Sequence, residues 1–167
     1  MSGTLDHCNV SLKIDSLALS ALDLQTAQDP ILVSILSTLS NGTSTGQASA
    51  QFADTRTLSA SATEDLDLAG SLTNAFGSTL TFTKIKLIYI KASAGNTNDV
   101  QVSRASSNGF VWFLAAADGF KLQPGAWVCF YDPVGVAVTA GTGDLLTMTN
   151  SAGSTSVGYD IVIVGTN

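Results

Sequence analysis

Apolar and polar residues alternate along most of this chain, and the places where the alternation stops divide it into parts. From His7, the run HCNVSLKID puts Cys8, Val10, Leu12 and Ile14 on one side and Asn9, Ser11, Lys13 and Asp15 on the other, the period of two of a half-buried strand. Leu17 and Leu19 resume it in the opposite phase, which predicts a break or bulge near Asp15-Ser16. The next run, QDPILVSILSTLSNG, changes period. Asp29 suits a helix cap, Pro30 the first helical position, and Ile31, Leu32, Ile35, Leu36 and Leu39 recur at helical spacing before an Asn41-Gly42 stop. This predicts a short helix, with a buried strand over Ile31-Leu32-Val33 as the alternative. Residues 41–51, NGTSTGQASAQ, have no apolar period and predict a flexible linker.

After the linker the pattern is β throughout. Alternating short segments fill FADTRTLSASATEDLDL, and LTFTKIKLIYIKA over 80–92 is the strongest strand pattern in the chain. Its phase shifts near Thr83-Lys84, where a bulge would bring Leu80, Phe82, Ile85, Leu87 and Tyr89 to one side. VQVSRA, GFVWFLAA, AWVCFYD, GVAVTAG, DLLTMTN and SVGYDIVIVG follow, separated by Gly, Asn, Asp and Pro. Pro124-Gly125 makes a corner before AWVCFYD, and Asp132-Pro133 is expected to end it, because proline cannot donate to a central ladder. The pattern predicts an all-β fold, an antiparallel β-sandwich of residues 52–167, preceded by an arm and linker of residues 1–51 with one strand and one short helix.

Composition changes this picture in one respect. Of the 167 residues 45% are hydrophobic and only 12% charged, against about 25% in an ordinary domain. A surface made of Ser, Thr, Asn, Gly and Ala suits a protein packed against copies of itself or a partner, since charges are costly to bury in an interface core. The net charge of −6 falls entirely in residues 1–83 and argues against nucleic acid, whose phosphates call for clustered Lys and Arg. No run approaches the ~20 apolar residues of a membrane span, and MSGTLDHCNV lacks the basic and apolar regions of a secretory signal.

Candidate chemistry is sparse. His7 is the one histidine; in a strand it and Cys8 point to opposite faces, which prevents a thiol–imidazole pair. Cys8 and Cys129 read as reduced, packed thiols, with a disulfide between them as the lesser reading. Glu64, Asp65 and Asp67 in TEDLDL are close enough to offer oxygens to calcium but lack the glycine-punctuated spacing of a calcium loop, and an acidic strip facing a basic partner fits equally. The expectation is of no enzyme, with no catalytic residue, cofactor or metal site. Trp112, Trp127 and Tyr131 are the candidates for a ligand-stacking platform, against the simpler reading of core packing.

Two stretches carry a resemblance. FADTRTLSASATEDLDLAGSLTNAFGSTLTFTKIKLIYIKA and KLQPGAWVCFYDPVGVAVTAGTGDLLTMTNSAGSTSVGYDIVIVG resemble a group of tailed-bacteriophage virion structural proteins, through Asp65 to Gly70, Phe76-Gly77, Thr81 to Lys86, Pro124-Gly125 and Tyr159 to Gly165. The resemblance spans about residues 52–165. It implies a jelly-roll cement or decoration protein, made in the host cytoplasm and placed on the capsid surface of the virion. The partners it implies are the major capsid protein and further copies of itself as a homo-oligomer, a trimer, with neither nucleic acid nor membrane. The arm is expected either to augment a neighbour's sheet or to pair within its own sandwich. Leu17, Leu19, Ile31, Leu32, Ile35 and Leu36 are its candidate capsid or subunit contacts. The alternative is a receptor- or glycan-binding module of a head fibre or tail.

Overall fold

The alternating runs become strands in a computed structural model, which describes residues 4–167. The body has eight strands: β4 (Ala50–Leu58), β5 (Thr63–Asp67), β6 (Lys84–Ala92), β7 (Val100–Arg104), β8 (Gly119–Leu122), β9 (Trp127–Ala137), β10 (Leu145–Asn150) and β11 (Val157–Thr166). They form two antiparallel four-stranded sheets, ordered β5-β10-β7-β8 and β4-β11-β6-β9. This is a jelly-roll-like sandwich, as the alternation predicts. Before it come β1 (His7–Ala21), β2 (Thr26–Asn41) and the two-residue β3 (Gln47–Ala48), in a third sheet ordered β1-β2-β3.

The core lies between the two body sheets. Val157, Tyr159, Ile161 and Ile163 of β11, Ile88 and Ile90 of β6, Val100 and Val102 of β7, and Leu146 and Met148 of β10 are all buried there. Each set occupies alternate positions of its strand, so one face of each sheet supplies the core. Tyr159 also carries a polar anchor. Its hydroxyl donates to Glu64 Oε1 at 2.6 Å, while Arg56 donates to Glu64 Oε2 from Nη2 at 2.7 Å and Nε at 3.0 Å. Burial, then the Glu64 hydrogen bond, pushes the Tyr159 phenol well above its usual value of 10.0. Above pH 10 the unfolded chain releases this proton and the folded chain keeps it, so stability falls as pH rises, by about 1.4 kcal/mol per pH unit. Urea midpoints of wild type and Tyr159→Phe are therefore expected to converge above pH 10. A constant difference from pH 8 to 11 would remove this role.

Beyond the core, the chain departs from the sequence pattern at several points. The stretch expected to form a helix after Pro30 is strand β2, paired antiparallel with β1 from His7↔Ser40 to Ala21↔Thr26. Pro30 sits opposite Leu17 and costs little, because the edge of a two-stranded ribbon has few ladder bonds to lose. The pairing runs unbroken through Asp15-Ser16, so the expected bulge is absent. Residues 41–51 are not a structureless tether: they hold a turn, β3 and the start of β4, with Ser40 N donating to Gly46 O and Gly46 N to Pro133 O.

The bulge foreseen at Thr83-Lys84 lies instead at Lys86. Val164 pairs with Leu87 and Gly165 with Ile85, which leaves Lys86 as the extra residue. Leu80, Phe82 and Ile85 join the main core, whereas Leu87 and Tyr89 turn to the other face of the sheet. On the other side β9 answers with its own bulge, since Tyr131 pairs with Leu87 and Val136 with Ile85. Asp132-Pro133 therefore interrupts β9 without ending it, as an edge strand permits. GVAVTAG continues β9 as far as Ala137, and GFVWFLAA forms turns around buried Phe110 in place of a strand.

Candidate interaction surface

A second, smaller hydrophobic cluster covers the outer face of the β4-β11-β6-β9 sheet. Leu5, Leu39, Ala48, Leu87 and Val164 are buried in it, with Cys8, Val10, Tyr89, Tyr131 and Val162 packed alongside. It is the foot of the β1–β2 arm. Lys86, fully buried, bolts the foot in place: its Nζ donates to Ser44 O and to Pro133 O, each at 2.8 Å. Burial first, and then the Lys84 charge, lowers the pKa of this ammonium.

Past the foot the arm stands clear. Every residue from 11 to 36 is exposed, and at 3.4 Å per residue the free ribbon extends about 40 Å. The cross-strand register assigns its side chains to two faces. Val10, Leu12, Ile14, Ile31, Val33 and Ile35 share one face, which continues directly from Cys8 and Leu39 in the buried foot. Leu17, Leu19, Leu32 and Leu36 share the other with Asn9, Ser11, Ser34 and the Lys13–Asp15 ion pair at 3.0 Å. The six candidate contacts are thus divided, Ile31 and Ile35 on the first face and the four leucines on the second. Exposures of 52% at Ile31 and Ile35, 66% at Leu32 and 73% at Leu36 place all of this apolar surface in water. The arm ends in a turn closed by Leu22 N donating to Gln25 O, with Leu24 99% exposed.

The aromatic candidates separate as well. Trp112 packs edge-on against Phe120 and Phe130, Tyr131 is half-buried in the arm foot, and Trp127 is exposed, its ring 6.3 Å from that of Tyr89. Cys8 and Cys129 are free thiols; burial raises the pKa of both, and their mutual repulsion adds to it for Cys8. The TEDLDL acids serve three separate tasks. Glu64 holds Arg56 and Tyr159, Asp65 accepts from Thr147 Oγ1, and Asp67 accepts from Ala69 N at 2.8 Å. Among the described residues no group of three His, Cys, Asp or Glu side chains is placed to hold a metal.

A cleft of about 410 Å³ runs between residues 4–7 and residues 74–80. His7 Nδ1 lies there 2.6 Å from Asp6 Oδ2, while the Ser49 hydroxyl donates to Asn167 Oδ1, also at 2.6 Å. The one histidine and this serine are thus bonded to different partners. Comparison with protein-family models, curated proteins and solved structures finds no match for this chain.

Proposed function

We propose that this protein is a virion structural protein that binds the outside of a phage capsid as a homo-oligomer and stabilises the shell by bridging capsid subunits. The observation that carries the reading is the arm: a ribbon of about 40 Å with apolar side chains on both faces and nothing of its own chain to cover them. A weakly charged chain supports it, as does the resemblance of residues 52–165 to tailed-phage structural proteins. The mechanism is mechanical. Binding free energy adds to shell stability by mass action, and an oligomer that touches several capsomers turns weak contacts into avidity.

Immunogold electron microscopy of purified virus particles, with an antibody to this chain, tests the reading. Dense label over heads is the expected result; label at background level would sink it. Exposed Trp127 beside Tyr89 favours a second reading, a glycan-binding module of a fibre or tail. That reading requires label at fibre or tail tips and saturable quenching of tryptophan fluorescence by a sugar.

A further inference from the structure

The two faces of the arm differ in a way that assigns them different neighbours. We infer that the face carrying Val10, Leu12, Ile14, Ile31, Val33 and Ile35 packs against the same face of two further copies of this chain, so that three arms share one apolar core around an axis. The inference rests on the reading of the arm as an assembly surface, and it names which side of the arm meets which partner.

Charge makes the first argument. Between the foot and Ile31 this face bears no ionisable side chain, and Asp29 near the tip is the first it meets. The opposite face holds the Lys13–Asp15 pair midway along. Burying that pair at an interface core would cost desolvation that the apolar face avoids. Continuity makes the second. The apolar face is an extension of the buried cluster of Leu39, Leu87 and Val164, so covering it prolongs an existing core.

Area decides the number. A two-stranded face about 40 Å long and about 10 Å wide offers about 400 Å². Two copies face to face would bury about 800 Å², the upper limit of incidental contacts, whereas three around an axis bury about 1,200 Å², where specific interfaces begin. A projecting two-stranded ribbon is also marginal alone in water and gains its stability from such packing. The mixed face, with Leu17, Leu19, Leu32 and Leu36, is left outward for the shell.

The test is the solution mass of the full chain by sedimentation or light scattering, with no capsid present. Wild type is expected at three times its 17.1 kDa. Leu12→Glu/Ile35→Glu, a cross-strand pair, should fall to the mass of one chain with the near-ultraviolet circular dichroism of the body retained, while Leu32→Glu/Leu36→Glu on the other face should keep the assembled mass. Wild type at the mass of one chain, or an L12E/I35E variant that stays assembled, would overturn the inference. Should that variant misfold, Val33→Cys in a Cys8→Ser/Cys129→Ser background reports the same contact. Oxidation links the chains if the faces meet and leaves them single if they do not. Assembly without head labelling would retire the capsid reading and keep this one; head labelling by a single-chain species would do the reverse.

Discussion

Alanine at position 165 is expected to cost the body about 3 kcal/mol, the upper range of overpacking penalties. Gly165 is where β11 accommodates the Lys86 bulge, and a Cβ there would run into the carbonyl oxygen of Lys84 and stand 3.0 Å from the Phe82 ring. Neither neighbour has room to yield. The Lys84 carbonyl belongs to the strand backbone, and Phe82 is 1% exposed in the core. Gly95, whose added Cβ would meet only the Ser93 hydroxyl at 3.9 Å, provides the matched control. Urea denaturation should show a large loss for Gly165→Ala and a change within about 0.5 kcal/mol for Gly95→Ala. Equal midpoints for the two would mean that the bulge is not a tight fit.

Lys86→Met is expected to cost about 2 kcal/mol and to loosen the foot of the arm. Methionine keeps most of the buried stem but leaves the Ser44 and Pro133 carbonyls without their donor, at about 1–3 kcal/mol for each unsatisfied buried group. Release of a desolvated ammonium, visible in its lowered pKa, offsets part of that. Limited proteolysis reads the local effect: cleavage within residues 42–46 should accelerate in the variant while β-sheet circular dichroism stays unchanged. A variant more stable than wild type, with the loop equally resistant, would show that the charge is a burden and not a bolt.

Most body strands were legible because they pack on one side. In β5, β7, β10 and most of β11, inward and outward residues alternate, and the sequence carries that period without ambiguity. The arm was harder to read for the converse reason. Ile31, Val33 and Ile35 serve one face while Leu32 and Leu36 serve the other, so apolar residues fall at spacings that a helix would also produce. Asp29-Pro30 strengthened that misreading, because no local rule separates a helix start from a proline in a free-standing ribbon. The aromatic run at 110–113 looks like a strand for its hydrophobicity alone, yet Trp112 and Phe113 pack sideways against Phe120 from a loop. The candidate contact residues were legible as apolar positions. Their division into two faces was not, since it depends on a pairing register that no single strand contains.

The order of the sheets has a consequence for biogenesis. β11, the last strand in the chain, lies between β4 and β6, so the sheet beneath the arm foot cannot close until residues 157–166 have left the ribosome. The arm itself is a local hairpin that can zip within microseconds of emerging, whereas the body depends on distant pairings that take milliseconds to seconds. A nascent chain thus shows its most adhesive surface first and seats it last. Val164, part of that seat, arrives only with the final strand, which couples assembly to completion of the polypeptide without any separate checkpoint.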